Sequence, residues 1–198
     1  MKDSEINKIC VYCASSTRVG DVYFEAARRL GALLANHGIT IVYGGGSAGL
    51  MGALADSALE RNGSVVGVIP RFMVELEWAH PGLAGLIVVE KLHERRERMI
   101  EGVDAVIALP GGCGTFEELI EAITWKRLGM FTKPVVIVNI DGYYDPFLEQ
   151  LNRAVDENFM DARHRSMWSV VDSAEDVITA IENAADWNSG AIHFAAVR

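Results

Sequence analysis

AVIALPGGCGTFEEL, residues 105–119, decides the fold. Its first six residues are an unbroken apolar run that reads as a buried strand. Glycines at 111, 112 and 114 follow at once, and from about residue 116 the apolar spacing becomes that of a helix reaching about residue 128. A strand that passes through a glycine turn into a helix is one half of a βαβ unit. Working outward, the same alternation recurs in both directions.

Upstream, KICVYCA (8–14), TIVY (40–43), SVVGVI (64–69) and LIVVE (86–90) read as strands. Helices are expected between them over about 21–37, 50–61 and 92–101. Gly38 ends the first of these, and Asn62-Gly63 the second. Downstream, PVVIVNI (134–140) and a strand over 167–171 flank a helix over 146–158, and a last helix begins near Ser173. Apolar strands alternating with helices signal a parallel sheet covered on both faces. The expected architecture is a doubly wound, Rossmann-like α/β fold. Residues 70–85 are the least regular segment, fitting a short helix or a lid, and the tail after Asn188 reads as weakly structured. The ordered core is expected over about 8–185.

The chain has 198 residues, half of them hydrophobic and 23% charged. At ~150 residues per domain this is one domain spanning 1–198, with enough apolar content to exclude disorder. Its richest apolar stretch, residues 41–55, is full of glycine and holds no run of about 18 lipid-soluble side chains, so no membrane span is expected. A net charge of −9 repels phosphodiester backbones, which argues against nucleic-acid partners. The first 16 residues lack the long apolar run of a signal peptide. Three cysteines form no disulfide framework, and the expected location is the reducing cytoplasm.

In such folds ligands bind beyond the carboxyl ends of the strands, which directs attention to two glycine loops and a basic turn. YGGGSAGLMG (43–52) satisfies GxGxxG at Gly44, Gly46 and Gly49. A dinucleotide site would want an acidic residue at the end of the next strand, where Ile69-Pro70-Arg71 stands; the alternative is a tight turn packing helix on sheet. In LPGGCGTFEEL (109–119) the glycines can form an anion nest at a helix N-terminus. There Thr115 and Glu118 fit a capping box, and Glu118 equally fits a carboxylate beside a bound phosphate. KLHERRER (91–98) fits a solvated helix face, yet it starts at a strand's carboxyl end, and Arg95, Arg98 and Met99, at i, i+3 and i+4, are expected to share one face. Cys10 and Cys13 fall on opposite faces of a strand and read as core. The histidines show no metal-ligand spacing. Trp125, Leu128 and Met130 fit either core or a subunit contact.

Together these residues resemble the LONELY GUY (LOG) family of nucleotide phosphoribohydrolases, often catalogued as "lysine decarboxylase". The resemblance runs from about residue 10 to 160. It includes CVYCASS, VYGGGSAGLMG, HERR, EAITWKRLG, KPVVIVNIDGYYDP and, most diagnostic, PGGxGTxxE at 110–118. It implies hydrolysis of the N-glycosidic bond of a purine ribonucleoside 5′-monophosphate, AMP or an N6-substituted AMP, giving free base and ribose 5-phosphate. By the family pattern, catalysis falls to Arg95 and Glu118. Phosphate and substrate contacts fall to Gly111, Gly112, Gly114, Thr115 and Glu117 around the second loop, and to Ser15, Gly45, Gly46, Glu77, Arg96 and Thr124. The resemblance also implies a homodimer, and neither metal nor organic cofactor. Arg96 stands where the family commonly has Lys, Ala14 where it has Gly, and Cys113 where it has Tyr.

Oxocarbenium character at the sugar suits a carboxylate at Glu118. Arg95, whose guanidinium keeps its proton, suits charge stabilisation. Two competing functions are a nucleotide-binding module without turnover and a pyridoxal-phosphate decarboxylase. For the latter, none of Lys2, Lys8, Lys91, Lys126 and Lys133 sits in a recognisable Schiff-base motif.

Overall fold

A computed structural model describes residues 6–76 and 78–196. Seven strands form one parallel sheet: β1 (Lys8–Tyr12), β2 (Thr40–Tyr43), β3 (Val65–Pro70), β4 (Gly85–Val89), β5 (Ala105–Ala108), β6 (Val135–Val138) and β7 (Ser169–Val171). Their order is β4-β3-β2-β1-β5-β6-β7. Ile9 is in register with Ile41 on one side and Ala105 on the other. The chain thus winds outward one way from β1, then returns to β1's other edge and winds the opposite way.

The connecting helices are α1 (Asp21–Asn36), α2 (Gly49–Leu59), α3 (Arg71–Glu75), α4 (Leu92–Ile100), α5 (Cys113–Arg127), α6 (Asp145–Asp156) and α7 (Val177–Glu182). Strand alternation splits the core in two. Ile9, Val11 and Cys13 face α1, α2 and α7, whereas Cys10 and Tyr12 face α4, α5 and α6. The CxxC cysteines therefore lie in separate cores. Among the described residues, no helix is long and apolar enough to cross a membrane.

Helix ends follow local chemistry. Gly38, at φ 69°, closes α1 as its amide and that of Ile39 donate back to the Ala35 and Leu34 carbonyls. The 70–85 segment contains the short helix α3, and residues 78–80 are strapped to the first glycine loop. Gly46 bridges Ala79, and the His80 amide donates to the Gly45 carbonyl at 2.9 Å.

Two expectations need correcting. α5 begins at Cys113, three residues early, because Gly112 serves as its extended N-cap. The tail after Asn188 is not weakly structured: Ser189–Phe194 forms a 3-10 turn that buries Ala191, and the chain stays packed through the buried Ala195. The Arg127 guanidinium donates to the Ala195 carbonyl, and Trp187 Nε1 donates to the Lys126 carbonyl at 2.6 Å. The ordered structure accordingly runs well beyond residue 185.

Candidate active site

The strand order reverses between β1 and β5, and the crevice there is where open α/β sheets bind ligands. Its two walls are joined by the Ala14 amide, which donates to the Pro110 carbonyl at 3.2 Å. The second glycine loop leads straight into α5, whose first-turn amides have no acceptor within the helix and carry its positive end. Gly111 is buried, and a Cβ there would stand 2.0 Å from Thr115 Oγ1. Cβ atoms on Gly112 and Gly114 would meet nothing within 4 Å, so this side of the loop is open. Thr115 lies inside the first turn and is buried, and it does not cap the helix. Of the two readings of Glu118, the capping box with Thr115 is therefore not formed.

The Glu118 carboxylate instead accepts a hydrogen bond from Arg95 Nη1 at 2.7 Å. This pair joins α5 to α4, and the two side chains are only 8% and 13% exposed. Arg95 also donates through Nε to the Val68 carbonyl within β3 (2.9 Å), and through Nη2 to the Gly44 carbonyl after β2 (3.2 Å). Three elements thus fix one guanidinium. The first glycine loop takes part by lacking a side chain, since a Cβ on Gly44 would stand 2.2 Å from Arg95 Nη2. Burial pushes the Glu118 carboxyl above its ordinary value, and the Arg95 charge opposes this only in part.

Arg96, the next residue on α4, lies between two further carboxylates of α5: Glu117 (2.8 Å from Nη1) and Glu121 (2.7 Å from Nε). Arg98 does not share the inward face. It is half exposed and paired with Glu101, while Met99 is fully buried. One residue is about 100° of helix, so i+3 and i+4 fall on opposite flanks of Arg95.

The other expected residues divide. Ser15 is exposed at the carboxyl end of β1, and its backbone abuts Gly49. Gly45 and Gly46 are buried in the turn that receives residues 78–80. Glu117 and Thr124 lie on the exposed side of α5. Glu77 lies outside the described residues. Lys126 is almost fully buried away from the crevice, with Nζ donating to the Lys133 carbonyl.

Sequence reasoning missed Glu121, although Glu117, Glu118 and Glu121 at i, i+1 and i+4 could have flagged an acidic helix face. It also missed Tyr143 and Tyr144, which donate to the Gly111 and Leu109 carbonyls at 2.7 and 2.8 Å. Chemically, the crevice offers open backbone amides for an anion beside a desolvated carboxylate held by an arginine.

A family model described as "Possible lysine decarboxylase" matches residues 51–181. The chain is 40% identical over 179 residues to cytokinin riboside 5'-monophosphate phosphoribohydrolase LOG2 of Arabidopsis thaliana, covering 90% of this chain and 84% of that protein. It is 41% identical over 179 residues to the LOG enzyme of that description from Oryza sativa subsp. japonica, covering 90% and 74%. Among solved structures, a molybdenum cofactor binding protein from Rippkaea orientalis superposes with a TM-score of 0.68 at 22% identity, covering 89% of this chain and 95% of that one. At that identity the likeness shows the fold.

Proposed function

We propose that this chain, which belongs to the LOG family of nucleotide phosphoribohydrolases, cleaves a purine ribonucleoside 5′-monophosphate whose base is adenine or an N6-substituted adenine. The observation that carries the reading is the buried Arg95–Glu118 pair beside the open glycine mouth of α5. The activities printed for the plant relatives support it.

In this reading the phosphate sits at the N-terminus of α5, on the amides of Gly112, Gly114 and their neighbours. Glu118 lies about 6–9 Å further along the helix, leaving room for a ribose between phosphate and carboxylate. As the C1′–N bond breaks, its electron pair leaves with the base and positive charge builds on the sugar ring. The Glu118 carboxylate stabilises that charge and takes a proton from the water that adds to C1′; the departing base takes a proton from solvent, and Glu118 returns its own to solvent. A carboxyl group with a raised pKa suits the second task. Arg95 stays charged throughout; it fixes the Glu118 carboxylate and presents positive charge near the departing base. Arg96, clamped by Glu117 and Glu121, sets the spacing between α4 and α5 on the outer side.

A homodimer is part of the same proposal. Phe72, Leu76, Leu86, Ile87, Val88 and Leu92 leave large apolar side chains exposed on α3 and its C-cap, edge strand β4 and the start of α4, a pattern suited to a second copy. Sedimentation of the purified chain as a monomer would refute it.

The deciding experiment incubates the protein with AMP and with N6-isopentenyl-AMP and quantifies free base by chromatography, beside Glu118→Gln. Base release by the wild type alone is expected, and the ratio of rates identifies the preferred base. Binding of both nucleotides without cleavage would make this a nucleotide-binding module.

A further inference from the structure

The glycine loop of the site is held from behind by two adjacent tyrosines. The chain leaving β6 turns back tightly, with Asp141 at φ 54° and Gly142 at φ 71°. Asn139 locks this turn: its Oδ1 accepts the Tyr144 amide at 2.7 Å, and its Nδ2 donates to Asp145 Oδ1 at 2.7 Å. A Cβ on Gly142 would stand 2.7 Å from Asp145 Oδ2. Tyr143 and Tyr144 are thereby set with ring centroids 5.2 Å apart and planes at 87°.

Each ring sends its hydroxyl to a different carbonyl of the loop. Tyr144 donates to Leu109 and Tyr143 to Gly111. These two bonds have different consequences. The peptide after Leu109 ends in Pro110, which has no N–H to aim. The peptide after Gly111 ends in the Gly112 N–H. The peptide is trans, so its C=O and N–H point in opposite directions. Drawing the Gly111 carbonyl back to Tyr143 therefore turns the Gly112 N–H forward, onto the open side of the loop. Flanked by two glycines, that peptide has no side chain of its own to restrict its rotation.

We infer that Tyr143 is a positioning residue for the substrate's phosphate, its hydroxyl fixing the Gly111–Gly112 peptide so that the Gly112 amide donates to the anion. The inference rests on the reading that this loop takes the 5′-phosphate. Phe116 lies parallel to the Tyr143 ring at 6.5 Å, and Tyr23 meets its edge at 5.8 Å. These contacts hold a phenylalanine in the same place, so Tyr143→Phe removes the hydroxyl alone. Tyr144→Phe is the matched control. It removes a buried hydroxyl with a hydrogen bond of similar length, 2.8 Å, that aims no donor.

Calorimetric titration of wild type, Tyr143→Phe and Tyr144→Phe with ribose 5-phosphate and, separately, adenosine tests the inference. Tyr143→Phe is expected to weaken ribose 5-phosphate about tenfold, the scale of one lost charge-assisted hydrogen bond, with adenosine affinity unchanged. In turnover, KM for the nucleotide rises by a similar factor and kcat stays within about twofold. Tyr144→Phe is expected to lower the melting temperature and leave the ribose 5-phosphate affinity as it was. Equal ribose 5-phosphate affinity in Tyr143→Phe and wild type overturns the inference, as does equal weakening of adenosine, or a wild type that binds no ribose 5-phosphate. A wild type that binds it yet cleaves no nucleotide defeats the hydrolase reading, while the variant comparison still decides the role of Tyr143.

Discussion

Glu118→Gln separates chemistry from scaffolding, because the two contributions of this side chain differ in size. Glutamine has the same shape and keeps a carbonyl oxygen for Arg95 Nη1, now 2.7 Å from the carboxylate. What is lost is the charge on the acceptor, about 1–2 kcal/mol of a charge-assisted bond. Against this, the carboxylate side chain is only 8% exposed, and its raised pKa shows that burial disfavours the ion; a neutral amide escapes that cost. The net stability change is therefore about 1 kcal/mol in either direction, or about 2–4 °C in melting temperature for a chain of this size. Turnover faces no such compensation. Loss of a buried charge aimed at a developing cation should cost about 3–4 kcal/mol, which slows turnover roughly a hundredfold to a thousandfold. Chromatographic base release at saturating nucleotide and scanning calorimetry on the same preparation measure both. A variant that keeps more than about a tenth of the wild-type turnover rate would refute the catalytic assignment. A melting temperature lowered by more than about 10 °C would instead make the residue chiefly the bolt between α4 and α5.

Gly44→Ala places a methyl group 2.2 Å from Arg95 Nη2 and 2.9 Å from Met51 Sδ, the far ends of two long side chains. The fold should survive within a few degrees while kcat falls at least about tenfold, and an unchanged kcat would show that Arg95 needs no such cradle. The pH profile of kcat/KM should carry an acid limb inflecting above the ordinary carboxyl value of 4.5, and any activity left in Glu118→Gln should lack that limb. In the same window the folded protein holds the Glu118 proton more tightly than the unfolded chain, so this group's contribution to stability falls as pH rises through it. Lys126, whose pKa burial lowers from 10.5 to about 8, acts with the opposite slope. Its cost, about 3 kcal/mol, is complete below pH 8 and disappears by about pH 10.5. Lys126→Met should therefore melt higher than wild type at pH 7, and thermal melts should show the gap closing between pH 8 and 10.5; a constant gap would refute this.

The strands were legible because a parallel sheet covered on both faces needs continuous apolar runs, and runs such as AVIALP have no other use. The start of α5 was not, because Gly112 and Gly114 accept helical and extended backbone alike and so mark no boundary. The family resemblance singled out Arg95 and Glu118, but their contact arises only where α4 crosses α5. The carbonyls of Val68 and Gly44 that complete the cradle carry no side-chain signal at all. The C-terminal turn and the tyrosine pair escaped for the same reason. Arg127, Trp187, Tyr143 and Tyr144 all grip backbone oxygens, which every sequence supplies equally. Arg98 misled because an i+3 neighbour shares a face only when that face points midway between the two.

The sheet's winding also governs when the crevice can exist. In chain order β1 to β4, with α1 and α2 on one face, are all synthesised before β5. Until β5 arrives, the other edge of β1 is bare, an open invitation to wrong pairing. Docking of the later half closes it: Asp104 takes the amides of Asn7 and Lys8 on its carboxylate at 2.9 and 3.1 Å and returns its own amide to the Lys8 carbonyl at 2.7 Å. Arg95 is synthesised with the first half and Glu118 with the second. In the proposed mechanism the half-made protein is therefore chemically silent, and it becomes a catalyst only after the seam between the two halves has zipped shut.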